Sequence, residues 1–436
     1  MAVAEAIALN KRLEGTIAQR LLSEAGAKAY YPRSGIPGQT IEANGTRINA
    51  ALGQAYDEEG QPLILESFAQ WTHLPPTEVF PYAPTHGVKA LRDFWKSEIR
   101  RKNELEEKIR ISTPVVTSGL AHGLTIAQQL FIDEGDPLII FKPFWGNYRL
   151  HYEGADFHEI EMYDRKSLNL HAFEETLQRI TTKKKIISLT FPSNPTGYMP
   201  SFNEAQILIK IIEAQAKQGD NIAVIIDDAY FGLVYENEKK PCKESFFAPL
   251  AKKHENLLAI KVDGITKEAF SWGLRVGFLT FAYKGMTEDA AKALEDKVAG
   301  RVRATISGAA LGSQYMALHG MQDPHFEEQL KRNRLLIAKR VDAIKKTLAK
   351  HPEYEEEFTA LPFNAGYFMC LQMQGGNANE IRTSLRKEHS IGVLSLEDKL
   401  RIAHSSVPLK DIPELFQRIY EVSKSMKDFL KKEARL

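Results

Sequence analysis

Apolar residues along this chain follow two rhythms. Near the N-terminus Leu9, Leu13, Ile17 and Leu21 recur at intervals of four, which is the spacing of one helical face. This predicts an amphipathic helix or two within the first thirty residues. The stretch from Tyr31 to Gly38 is broken by Pro32, Gly35, Pro37 and Gly38 and is expected to be loop. Asp57-Glu58-Glu59-Gly60 reads as a hairpin turn, and a helix is expected over 88–100. From about 112 the rhythm changes. Short apolar runs at 113–117, 138–142, 186–190, 222–226, 257–262 and 275–281 show no polar alternation. Such runs predict strands buried on both faces, hence a mostly parallel sheet under helices. Helices are expected over 120–131, 171–180, 202–217 and 286–298. Beyond 325 the pattern predicts a long helix (327–348), a strand (366–371), a helix (378–387), two strands (391–394, 399–403) and a last helix (410–431). These make an α+β unit, and the N-terminal segment is expected to pack with it.

Bulk properties narrow the possibilities. A chain of 436 residues exceeds one ordinary domain, so two packed units are expected. Lys+Arg against Asp+Glu is 57 − 56 = +1, and the run Lys183-Lys184-Lys185 carries no interleaved aromatics. That argues against a nucleic-acid partner. No stretch approaches the ~18 apolar residues of a membrane span. The N-terminus lacks the basic segment and apolar core of a signal peptide. The two cysteines, Cys242 and Cys370, have neither metal-ligand spacing nor a disulfide pattern. A cytoplasmic protein without a metal site or a membrane partner is therefore expected.

The candidate chemistry sits in loops at strand ends, where open α/β sheets collect ligands. Ser193-Asn194-Pro195-Thr196-Gly197 follows one strand and, taken alone, is equally a simple turn. Asp227-Asp228-Ala229-Tyr230 follows the buried run Ile222–Ile226, and such an acidic pair also caps helices. Asp263-Gly264-Ile265-Thr266-Lys267 follows a third strand, and Arg275 lies eight residues beyond Lys267. A lone lysine is ordinarily a surface residue. Together these groups supply what a pyridoxal phosphate enzyme requires. They include a lysine for a Schiff base, an acid for the ring nitrogen, donors for the ring hydroxylate, and a cation for the phosphate.

With those motifs in that order, the chain resembles the fold-type I pyridoxal phosphate enzymes of the aspartate aminotransferase family, class I/II. The resemblance runs from about 30 to 430. It implies a seven-stranded, mostly parallel sheet in a three-layer α/β/α large domain, with a smaller α+β domain. The implied division is 101–325 for the large domain and 326–436 for the small one. Residues 1–100 would contribute to the small domain and to a dimer interface.

The resemblance also assigns roles. Lys267 would carry the cofactor and move the proton at the α-carbon, Asp227 would pair with the pyridine nitrogen, and Asn194 and Tyr230 would bond the ring hydroxylate. Trp145 would stack on the ring. The helix start at Ser118, Gly119, Leu120 and Ala121 would seat the phosphate on free N–H groups, and Arg275 would clamp it. Tyr82 and Ser307 would reach a neighbouring subunit's site in a homodimer with shared active sites. Arg401 would grip the substrate α-carboxylate. Arg303 occupies the place of the arginine that binds a distal carboxylate. Two departures stand out. Gly264 replaces a serine that touches the phosphate, with Thr266 as the candidate substitute, and the Gly119-Leu120-Ala121-His122-Gly123 segment lacks a hydroxyl often found there.

The expected activity is amino-group transfer from an L-amino acid, aspartate or aromatic, to a 2-oxo acid such as 2-oxoglutarate. Tyr30, Tyr31, Phe144, Tyr148 and Phe363 are candidates for an aromatic-accepting wall, and each is equally a packing residue. A β-lyase or decarboxylase on the same fold would use the same lysine, acid and asparagine.

Overall fold

The computed structural model describes residues 4–33, 35–235, 241–375 and 377–433. Seven strands form the main sheet: β1 (Val115–Ser118), β2 (Pro137–Lys142), β3 (Asp156–Glu161), β4 (Lys184–Thr190), β5 (Asn221–Asp227), β6 (Leu257–Gly264) and β7 (Val276–Ala282). Their order across the sheet is β1-β7-β6-β5-β4-β2-β3. The run from β6 to β3 is parallel, and β7 is antiparallel to both of its neighbours. All seven residues of β7 are buried, as are most of β5 and β6, which is why the apolar runs lack alternation. Helices Gly119–Phe131, Leu170–Arg179, Phe202–Lys217 and Glu288–Ile306 pack on the sheet and its flanks. Local chemistry sets their starts. Ser201 and Glu204 form a reciprocal capping box before Phe202, and the Thr287 hydroxyl accepts from the Ala290 N–H. These features give the layered α/β fold expected from the sequence.

A second apolar core contains Ile48 and Ala50 with Met369, Leu371, Ile381, Ile391, Leu400 and Phe416. It is built on a four-stranded antiparallel sheet that includes Phe368–Met373 and Lys399–Ala403. Ile48 and Asn49 add to it by pairing with Ile391 and Gly392. In contrast, Leu63, Leu65, Phe68, Leu91, Trp95 and Ile99 pack into the first core. The 25-residue helix Phe326–Lys350 spans both, with Leu330 and Ile337 in the first core and Ile344 in the second.

The structure corrects several expectations. The amphipathic N-terminal face is not buried. Residues 4–28 form three short helices, and Leu9, Ile17 and Leu21 are exposed. Part of the expected loop is helix Ile36–Glu42, with Pro37 in its first turn; Ser34 lies outside the described residues. The strand expected over 391–394 is split into Ile391–Gly392 and Leu394–Leu396. Strand β3 was not anticipated. The turn at Asp57 does form, with its N–H bonded to the Gln61 carbonyl at 2.8 Å.

Phe278 of β7 is fully buried and stacks on Trp95 with ring centroids 4.4 Å apart. Phe278→Ala is expected to lower the unfolding free energy by about 3–5 kcal/mol, read from the denaturant midpoint at unchanged slope. A loss below about 1 kcal/mol would contradict this packing.

Candidate active site

One cavity of about 310 Å³ collects most of the predicted groups. Asn194 and Asp227 reach it from the carboxyl ends of β4 and β5, and Lys267 from the turn after β6. Arg275 enters from the amino end of antiparallel β7, which lies at the same edge of the sheet. Leu120 and Ala121, from the helix after β1, and Trp145, from the loop after β2, complete the wall with Tyr230.

Asp227 is buried at the floor. The Tyr148 hydroxyl donates to its Oδ2 at 2.5 Å, and the Ala229 N–H donates to its Oδ1 at 3.0 Å. Burial raises its pKa, while the Tyr148 bond and the Lys267 charge oppose that rise. Lys267 Nζ lies 5.4 Å from the centroid of the Tyr230 ring. Burial lowers the lysine pKa; nearby Asp227 raises it and Arg275 lowers it further. The backbone that carries Lys267 is held by Tyr367, a first-core residue just before strand Phe368–Met373, whose hydroxyl donates to the Lys267 carbonyl at 2.9 Å.

The phosphate seat predicted at the helix start has definite geometry. Gly119 adopts φ +75°, and a Cβ there would lie 2.5 Å from Arg275 Nη2. Only a glycine lets the guanidinium lie against the first turn, where backbone N–H groups are free of helical partners. Gly264 is equally constrained. A Cβ there would lie 2.6 Å from the Val276 carbonyl oxygen, so the family's serine does not fit this backbone. Thr266 lines the cavity, and its buried hydroxyl has no partner. Asn194 Oδ1 is likewise buried and unpartnered. Such orphaned groups are costly. An anion-binding seat, an acid at the floor, a lysine and two unsatisfied polar groups fit a bound pyridoxal phosphate.

Other predicted residues lie elsewhere. Arg401 is buried on the second core's sheet, with its guanidinium 4.1 Å from the Phe368 ring centroid and Nη2 donating to the Ala51 carbonyl at 3.1 Å. Its Nε is buried without a partner, and burial lowers its pKa to about 10. Tyr82 is 97% exposed and does not line this cavity. Arg303 and Ser307 are also exposed, at the end of helix Glu288–Ile306. The Thr85 hydroxyl donates to the Ser307 carbonyl at 3.3 Å, so the Tyr82 and Ser307 segments adjoin. The Ser118 N–H donates to His122 Nδ1, and His122 Nε2 bonds the Thr305 hydroxyl, so both ring nitrogens of this histidine have partners. Tyr148 is the aromatic candidate that reaches the cavity, through its bond to Asp227; Tyr30, Tyr31, Phe144 and Phe363 do not line it. Thr190 and His151 were missed and do line it. His151 falls three residues after Tyr148, a helical spacing that shows both on one face.

Comparison with known proteins settles the family. The family model for aminotransferase class I and II matches residues 48–419. The chain belongs to that family. It is 26% identical over 274 residues to a probable aspartate/prephenate aminotransferase of Aquifex aeolicus, an alignment covering 62% of this chain and 64% of that relative's length. It is 24% identical to an aspartate aminotransferase of Bacillus sp. strain YM-2, covering 78% of this chain and 82% of the relative. Among solved structures, an aminotransferase from Anaerococcus prevotii superposes with a TM-score of 0.78 at 23% identity, covering 89% of this chain and 95% of the other. A kynurenine aminotransferase from Pyrococcus horikoshii gives 0.77 at 15%, covering 94% and 98%. At these identities the superpositions establish the fold. Family members of this fold type use pyridoxal phosphate, and no helix among the described residues is long and apolar enough to cross a membrane.

Gly119→Ala is expected to raise the Kd for added pyridoxal phosphate about tenfold or more (about 1.4 kcal/mol), measured by quenching of intrinsic fluorescence. An unchanged Kd would remove the Gly119–Arg275 face as the phosphate seat.

Proposed function

We propose that this chain is a pyridoxal phosphate-dependent aminotransferase that moves an amino group from an L-amino acid, aspartate or aromatic, to a 2-oxo acid such as 2-oxoglutarate. The observation that carries the reading is the convergence of Lys267, Asp227 and Asn194 in one cavity at the sheet's carboxyl edge.

Bound there, the cofactor supplies an electron sink for the α-carbon of the substrate. Lys267 anchors it and then serves as general acid and base. Its lowered pKa leaves a larger share of neutral amine at working pH, able to take the α-proton and return it. Asp227 holds a proton at the ring nitrogen. Tyr148 and the Ala229 N–H keep the carboxylate oriented for this. Tyr230 has its pKa raised by burial, so it remains a phenol and donates to the ring oxygen beside Asn194. Trp145 packs on the ring face. The helix start at Ser118 to Ala121, with Arg275 and the Thr266 hydroxyl, holds the phosphate.

Arg401 stays charged at neutral pH and has an unsatisfied Nε, which suits it to the substrate α-carboxylate. Tyr82, Ser307 and Arg303 are exposed and do not line their own cavity. We assign them to the neighbouring subunit's site in a homodimer, with Arg303 meeting a distal carboxylate. The large domain is read as 101–325 and the small one as 326–436, with the chain's beginning shared between them.

A panel of amino donors with 2-oxoglutarate tests the reading. Aspartate or an aromatic amino acid should yield its oxo acid and glutamate. Lys267→Ala should lower kcat by about 10²–10⁴ or more and abolish the visible absorbance that borohydride bleaches in the wild type. Ammonia or carbon dioxide release without an acceptor would favour the lyase or decarboxylase. Turnover of aspartate but of no aromatic donor would remove the aromatic half of the assignment.

A further inference from the structure

Directly behind the cavity floor lies a second group of charges that the site itself does not use. Lys261 and Asp263 stand on one face of β6, two residues apart. Lys261 Nζ bonds Asp228 Oδ2 and lies 3.4 Å from Asp263 Oδ2. The Ser245 hydroxyl donates to Asp228 Oδ2 at 2.5 Å. Trp95 Nε1 donates to both oxygens of Asp263, at 3.1 and 3.0 Å. Lys261 and Asp228 are each 1% exposed and Asp263 is 3% exposed. A buried ion pair seldom repays the cost of removing its charges from water, and an apolar trio would pack the same space more cheaply. Its position suggests what it contributes. Asp228 adjoins Asp227, and its N–H donates to the Val262 carbonyl at 3.0 Å, joining the ends of β5 and β6. Lys267 follows on the turn that leaves β6.

We propose that Lys261 is a positioning residue for the Asp227–Lys267 site: its ammonium ties the two strand ends together and cancels the charge of Asp228 beside Asp227. The inference rests on the function proposed above. The groups acting on Asp227 are Tyr148 and Tyr152 from the segment after Trp145, Lys267 from the turn after β6, Tyr230 beyond β5, and Asp228 next to it. Asp228 is the like charge among them and pushes Asp227 toward its neutral form. Lys261 answers that charge from the buried side. Without Lys261 the adjacent buried carboxylates Asp227 and Asp228 would together hold one more proton toward neutral pH, because two such charges are not sustained side by side without a counter-ion. Shared between the two, that proton lowers the charge that Asp227 offers to the cofactor ring.

The test reads cofactor uptake rather than turnover. Purified chain is reconstituted with pyridoxal phosphate and followed by visible absorbance across pH, alongside thermal melting. Lys261→Met should weaken uptake about tenfold at neutral pH and move its acid edge up by at least about half a pH unit. Asp228→Asn, which removes the repelling charge, should move the edge down. The double variant K261M/D228N should return toward wild type. Recovery of folding in the double variant is expected of any matched pair, so the acid edge decides: if the lysine were only structural, Asp228→Asn would leave the edge in place, and that result overturns the proposal. An acid edge unmoved in all three variants overturns it as well. Should K261M fail to fold, Asp228→Asn decides alone, and an edge that stays in place or rises overturns the inference. A wild-type chain that takes up no pyridoxal phosphate sinks the proposed function itself, a separate arm of the experiment.

Discussion

Strand register is the constraint from which the site follows. In the parallel run, Asp227 of β5 stands opposite Thr190 of β4 and Val262 of β6. A slip of one residue would turn Asp227 to the other face of the sheet and put a chain of aliphatic side chains in its place. The slip is opposed at the polar end of the strand, where Asp227 would leave the Tyr148 and Ala229 donors and Asp228 would leave Lys261 and Ser245, stranding buried carboxylates without partners. Once β4, β5 and β6 are in register, the loops after them deliver Asn194, Tyr230 and Lys267 to one edge. Antiparallel β7 then brings Arg275 back to that edge. Gly277 makes this approach possible, since a Cβ there would lie 2.6 Å from the Gly119 backbone.

This dependence explains what could be read from the sequence. The central strands announce themselves as unalternating apolar runs because they are covered on both faces. The residues just past each parallel run therefore had to share an edge, and Lys267, Asp227 and Asn194 were legible for that reason, whereas Arg275, at the start of an antiparallel strand, was legible through the family resemblance. Strand β3 was not. It pairs on one side only, and its sequence, Asp156-Phe157-His158-Glu159-Ile160-Glu161, has one fully buried residue. The apolar spacing of residues 9–21 misled for the opposite reason. Periodicity shows that a helix has an apolar face, but it does not show what covers that face. Thr266 was legible as a substitute for the missing serine, yet the reason for Gly264 was not. That reason is a backbone approach from β7, a tertiary contact with no local signature.

Tyr148 shows the same limit in side-chain terms. An aromatic residue near Trp145 reads as packing, and Tyr148 does stack on Tyr152 with centroids 5.4 Å apart. Its hydroxyl nevertheless ends on Asp227. The ring is core and the oxygen belongs to the site. Burial makes that bond matter, because in a water-poor floor few other donors are available to hold the carboxylate charge.

The two cores divide the work unequally. Every residue named as lining the cavity comes from the first core's sheet and its loops. Arg401 comes from the second core, and its guanidinium is held by a carbonyl of Ala51, in the segment just after the strand that joins that core. Several ties join the large sheet's loops to residues 364–370, which lead into the second sheet: Asn364 bonds the Met199 N–H and carbonyl, the Gly366 N–H donates to the Leu233 carbonyl, the Tyr367 hydroxyl donates to the Lys267 carbonyl, and the Cys370 thiol donates to the Pro195 carbonyl. Substrate recognition in the proposed role therefore depends on how one core sits on the other, whereas cofactor chemistry depends on one sheet's register. A strand register is written in a local pattern of apolar residues. A seam between two cores is written in scattered contacts between segments far apart in the chain. This is the physical reason the α-carbon chemistry was readable from the chain and the side chain it prefers was not.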